Sequence, residues 1–215
     1  DYGLSGDFSY DGNIESINIP AVTRVGIRAF MDQKKLKNIA LPNLETIDKN
    51  AFEDCSSLED VSIPKVRIIP TNYSTSDGTE AGLFFNCKNL KNVNIPLVED
   101  VGNGAFANCF ALTNISLPAA TKIGRSAFYF CDALTSVSLP VATKIERNAF
   151  KYCRALTSAS LPAAKKISYS VFYYCNMLTT LYIGTESDTV CTLSHTNAIP
   201  SNVNDIYVPE TLVDS

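Results

Sequence analysis

The stretch Leu134–Ala155 reads LTSVSLPVATKIERNAFKYCRA, and the same 22-residue phrase returns along most of the chain. Pro stands at 20, 42, 64, 96, 118, 140 and 162, in steps of 22 apart from a single step of 32. Phe follows at 30, 52, 84, 106, 128, 150 and 172. Cys comes three residues after Phe, at 55, 87, 109, 131, 153 and 175, with Gln33 in the first copy. A period of this length marks stacked supersecondary units, not a fold around one central core.

Each unit has two halves. Leu134-x-x-Val137-x-Leu139-Pro140 ends in apolar/Ser alternation, which predicts a short strand. Pro140 lacks an N–H, so it ends the ladder and turns the chain away. Ile145-x-x-x-Ala149-Phe150-x-x-Cys153 predicts an extended piece and then one helical or 3₁₀ turn, with Cys as a small buried hydrophobe. One unit has too little apolar surface to offset the ordering of its backbone, so units must cover one another. Tracing the strand phase through Ile14, Leu36, Leu58, Leu90, Leu112, Leu134, Leu156, Leu178 and Val203 gives nine coils. The expected fold is an α/β solenoid of about nine stacked coils with one parallel sheet. An N-terminal cap segment takes residues 1–13 and the coils take 14–183, with an insertion at 70–79. An irregular last coil and a C-terminal cap take 184–215.

The pattern L-x-x-V-x-L-P…I-x-x-x-A-F-x-x-C resembles the BspA-like, or treponemal-type, leucine-rich repeat, over residues 14 to about 180. The family's usual unit is a residue longer. The ending YVPETLVDS also resembles the C-terminal cap of such proteins. The resemblance implies a leucine-rich-repeat solenoid in a secreted or surface-anchored bacterial protein. It implies adhesion to host proteins or other cells, without catalysis and without a cofactor.

Composition narrows the chemistry. The chain has 215 residues, 46% apolar and 19% charged, with a net charge of −4. That balance argues against a nucleic-acid partner, which would need cations in excess. No apolar run reaches the roughly 18 residues that span a bilayer. The chain begins at Asp1, which leads us to expect a mature or trimmed product whose signal peptide lies outside it. A single His excludes multi-His metal sites. Equivalent Cys side chains in stacked coils point the same way, which is poor disulfide geometry, so free buried thiols are expected. Cys191 and His195 fall in the irregular segment; a thiolate–imidazole pair there is possible chemistry, and a degenerate coil is the plainer reading. No catalytic or metal-binding residue is therefore assigned, and no enzyme activity is expected.

Charge and aromatics single out one band. Residues 1–112 carry a net −5, residues 113–180 a net +6, and residues 181–215 a net −5. Lys122, Lys144 and Lys166 form one column, four residues after each Pro. Tyr129, Phe130, Tyr152, Tyr173 and Tyr174 occupy the two positions between Phe and Cys. These eight residues are the expected binding face, for a host or cell-surface protein or, alternatively, a glycan stacked on Tyr129, Tyr152 and Tyr174. Equally, the rings could serve only to pack neighbouring coils.

Overall fold

The computed structural model describes residues 3–4, 12–71, 80–184, 192–193 and 198–207. Each turn of the stack carries two short strands, each parallel to its counterpart in the neighbouring turn. The longer strands are Ser16–Asn18, Asn38–Ala40, Asp60–Ser62, Asn92–Asn94, Ser136–Ser138, Ser158–Leu161, Thr180–Ile183 and Asp205–Tyr207. Ser116 adds a single bridge to Ser138. The shorter strands are Gly3–Leu4, Arg24–Val25, Thr46–Ile47, Ile68–Ile69, Asp100–Val101, Lys122–Ile123, Lys144–Ile145, Lys166–Ile167 and Thr192–Leu193. Each series has nine rungs, so the described chain completes eight turns from the first long rung to the last.

Pairing is parallel throughout, and each residue faces its counterpart one unit on. Ser136 pairs with Ser158, and Lys122 with Lys144. Across the insertion the partner is 32 residues away, as for Asp60 and Asn92. The solenoid and its stacked coils are thus as expected, but two details differ. The strands form two series, divided into four parallel sheets, in place of one sheet, and no α-helix forms among the described residues.

The physical reason lies in where the N–H groups go after the short strand. A helix would return them to carbonyls within its own coil. Here alternate N–H groups donate to the next coil instead. Ser126 N donates to Arg147 O at 3.1 Å, Phe128 N to Ala149 O at 2.8 Å and Phe130 N to Lys151 O at 3.0 Å. Residues two before Phe, Gly82 excepted, and two after it bend the chain by taking positive φ, as Asn148 (58°) and Tyr152 (65°) do around Phe150. The bend is therefore a third line of contact between coils.

The core is a set of columns running the length of the stack. Phe52, Phe84, Phe106, Phe128, Phe150 and Phe172 are fully buried. Their rings stack nearly parallel with that of Phe30 at one end, with centroids 5.2–5.8 Å apart. The Cys column does more than fill space. Cys109 Sγ donates to Phe84 O of the preceding coil at 3.3 Å, while Cys87 N donates to the same oxygen at 3.1 Å. Both lone pairs of a buried carbonyl are thereby used. The same bond recurs from Cys55, Cys87, Cys131, Cys153 and Cys175, at 3.0–3.2 Å. These six thiols are free and buried. No helix of the described residues is long and apolar enough to cross a membrane.

Burial holds every ladder thiol in its neutral form. Cys55 and Cys175 are pushed up to about 12 by desolvation, and Cys87, Cys109, Cys131 and Cys153 rise for the same reason. The unfolded chain loses these protons from about pH 8.5 upward while the folded chain keeps them. Stability is then fully present below about pH 8.5 and falls as pH climbs toward the folded values, by up to about 1.4 kcal/mol per pH unit for each thiol. Denaturant midpoints should drop steeply between about pH 8.5 and about pH 10, below the phenol range. A flat profile over that interval contradicts a buried, neutral Cys ladder.

Candidate interaction surface

The position two residues after each core Phe always takes positive φ, from 58° to 66°. In chain order it holds Asp32, Asp54, Asn86, Asn108, Phe130, Tyr152 and Tyr174. Asp and Asn suit this left-handed region; bulky side chains do not. In the first half the side chains form a polar ladder. Asn86 Nδ2 donates to Asp54 at 2.9 Å, and Asn108 Nδ2 donates to Asn86 at 2.8 Å. In the second half the same column becomes a stack of rings. Phe130 and Tyr152 lie 4.4 Å apart at 5°, and Tyr152 and Tyr174 lie 4.8 Å apart at 8°.

These aromatics carry a backbone cost that Asp and Asn largely avoid. Left-handed backbone costs an L residue about 1–2 kcal/mol. Each ring pair contributes about 0.5–1.5 kcal/mol beyond its buried area. Three strained residues and five ring contacts are thus of comparable size. Strained residues of this kind cluster at functional sites.

Tyr129 sets its edge against Phe130 and Tyr152, at 4.7 and 5.6 Å, and Tyr173 meets Tyr174 at 4.4 Å and 67°. Tyr173 and Tyr174 are 39% and 44% exposed, and Tyr129, Phe130 and Tyr152 are half-buried. The Tyr129 phenol is raised first by burial and then by the neighbouring Tyr152. That of Tyr173 is raised by its hydrogen bond with Tyr174. Both therefore remain neutral donors at physiological pH.

Two cations accompany the rings. Lys151 shares a column with Tyr129 and Tyr173. Its Nζ lies 5.2 Å from the Tyr152 and Tyr173 centroids and 6.0 Å from that of Tyr129. The Arg154 guanidinium is 5.2 Å from the Phe130 centroid and 5.3 Å from that of Tyr152. A point equally far from two parallel rings only 4.4 Å apart lies alongside the stack, not on a face of it. Arg154 also holds Asp132 at 2.8 Å.

The five aromatics singled out in the sequence thus come together in one ridge. Lys122, Lys144 and Lys166 do form a column, on the short-strand ladder. Lys122 pairs with Asp100 at 3.1 Å, Lys144 with Glu146 at 2.9 Å, and Lys166 is exposed. Burial raises the Glu146 carboxyl, but Lys144, Lys122 and Arg125 outweigh it and hold the group below its ordinary range. The cations that touch the rings are Lys151 and Arg154. Their signal in the sequence was their place: Lys151 interrupts the Tyr129–Tyr173 column, and Arg154 follows Cys153.

Other candidates offer less chemistry. Cys191, His195 and residues 72–79 of the insertion lie outside the described residues. Glu80, just after the insertion, is buried, with its carboxylate 3.9 Å from Arg147. Among the described residues no cluster of His, Cys, Asp and Glu could hold a metal ion. The long-strand ladder carries a shallow groove of about 510 Å³ lined by Asn18, Asn38, Asp60, Asn92 and Asn94.

Replacing a ridge ring should leave the fold standing, whereas replacing a core ring should not. Tyr152→Asn loses three ring contacts but relieves the left-handed backbone cost, so it is expected to shift unfolding free energy by about 0–3 kcal/mol. Phe150→Ala, in the same coil, should cost about 3–5 kcal/mol. Equal losses in chemical denaturation would show that the ridge is core packing.

The BspA-type leucine-rich-repeat model matches this chain in 6 copies, over residues 5–80 and 78–198. No curated protein matches it. Among solved structures, a leucine-rich repeat protein from Eubacterium ventriosum is similar at 21% identity and a TM-score of 0.54, over 90% of this chain and 43% of that one. The T. pallidum leucine-rich repeat protein is similar at 21% identity and 0.53, over 80% and 72%. The pneumococcal vaccine antigen PcpA is similar at 20% identity and 0.50, over 91% and 62%. The chain spans less than two thirds of the Eubacterium and pneumococcal structures. At such identities these likenesses show a shared fold. The family model covers most of the repeat array, and the chain belongs to the BspA-type leucine-rich-repeat family.

Proposed function

We propose that the chain is a non-enzymatic interaction module that works outside the cytoplasm, adhering to macromolecules of a host or of another cell's surface. The observation that carries this is the ridge of Phe130, Tyr152 and Tyr174, aromatics kept in left-handed backbone where the other copies place Asp or Asn. Tyr and Arg concentrate binding energy at protein interfaces, and solenoids offer long rigid surfaces for such contacts. Membership of a repeat family built as a scaffold supports the absence of catalysis. The pneumococcal neighbour is a vaccine antigen, which supports a surface location. The lysine column belongs to the same basic band of sequence as the ridge. A glycan stacked on the tyrosines is the weaker alternative, because the rings of Phe130 and Tyr152 spend their facing surfaces on one another.

The test is capture of immobilised host matrix proteins and neutral glycans, titrated with salt. Binding to a protein should weaken as salt rises, and Lys122→Glu, Lys144→Glu and Lys166→Glu together should weaken it about tenfold or more at low salt. Undiminished capture by the triple variant removes the lysine column from the site. Capture of none of the proteins contradicts the adhesion reading.

A further inference from the structure

We infer that the ridge binds a carboxylate-rich segment of a partner protein, with Lys151 among the phenols and Arg154 alongside the stack as the anion-seeking groups. This rests on the interaction-module reading and names its partner chemistry.

Electrostatics carries the inference. An aromatic ring is negative on its faces and positive at its edges. The stack of Phe130, Tyr152 and Tyr174 turns its inner faces to one another, so its flanks offer edges. Lys151 lies among three phenols and, among the described residues, forms no ion pair with a carboxylate. Arg154 lies alongside the stack, and its ion pair with Asp132 engages Nη1, leaving further N–H groups for a second anion. Asp132 shows on a small scale what the flank attracts. The band that holds the ridge is +6 between ends of −5 each, so the field also guides an acidic partner to this band.

The same observations set aside two other ligands. A neutral sugar needs an open ring face. A densely sulfated glycan needs a run of free cations, but Lys122, Lys144 and Arg125 already hold carboxylates. Tyr and Arg side by side, with neutral phenols as donors, match a polypeptide that brings both carboxylates and apolar side chains.

Fluorescently labelled decaglutamate tests this by polarisation at low salt, beside a heparin octasaccharide and cellohexaose. Wild-type chain should bind decaglutamate, and Lys151→Glu with Arg154→Glu should weaken that binding about tenfold or more. Lys37→Glu, an exposed control beside the long-strand ladder, should leave it unchanged. Lys151→Gln with Arg154→Gln gives the same comparison should the reversal fail to fold, and melting curves check each variant. Equal loss on Lys37→Glu, no loss in the ridge variants, or binding of heparin or cellohexaose in place of the peptide overturns the inference. If the ridge variants still capture a surface protein undiminished, the adhesion reading stands and this inference fails. If decaglutamate binds through the ridge while no surface protein is captured, the adhesion reading fails and this inference stands.

Discussion

Every coil is held by hydrogen bonds to the coils before and after it, and no coil has a core of its own. The constraint operates on all sides of the turn: in the long strands, in the short strands, and through the bend around Phe. It forces each residue against its counterpart one unit away. Any side chain that can bond to a copy of itself, or to the copy's backbone, is thereby rewarded at every step. Thr179, Thr157 and Thr135 each donate Oγ1 to the carbonyl of the Thr one coil earlier, at 3.0–3.4 Å. The Cys thiols do the same to the Phe carbonyls in the interior. A column is the unit of this structure, as a residue pair is in an ordinary sheet.

Column logic explains what was legible in the sequence. Pro140, Phe150 and Cys153 recur at near-fixed steps, so the stacking of coils and the buried Phe and Cys columns could be read directly. The bend was not legible. Ala149-Phe150-x-x-Cys153 fits one helical turn as well as it fits a chain that bends twice through positive φ. The signal that separates them is Asn148 before Phe, with Asp54, Asn86 and Asn108 after it in other copies, residue types that favour left-handed backbone. The extended piece at Ile145 was legible, but its pairing as a second strand series was not, because Lys144–Ile145 is two residues long and shows no alternation.

At the surface the sequence placed the five aromatics in neighbouring positions, and the structure joins them. It did not reveal which cations meet them. Lys144 lies on a strand and finds Glu146, whereas Lys151 and Arg154 follow the bend and arrive at the rings. That outcome depends on side-chain direction, which spacing alone does not encode. The ridge also shows how one backbone position serves two purposes. In the first half it joins coils through Asp and Asn; in the second it carries rings that stack on one another in left-handed backbone.

The account rests on coils that lock their neighbours through the bend as well as through the strands. Native-state amide hydrogen exchange measures this directly. The amides of Phe84, Phe106, Phe128 and Phe150, which donate to the next coil at 2.7–2.9 Å, should exchange together and only through global unfolding. Exchange of these amides at the rate of exposed turns, or coil by coil at separate free energies, would contradict it.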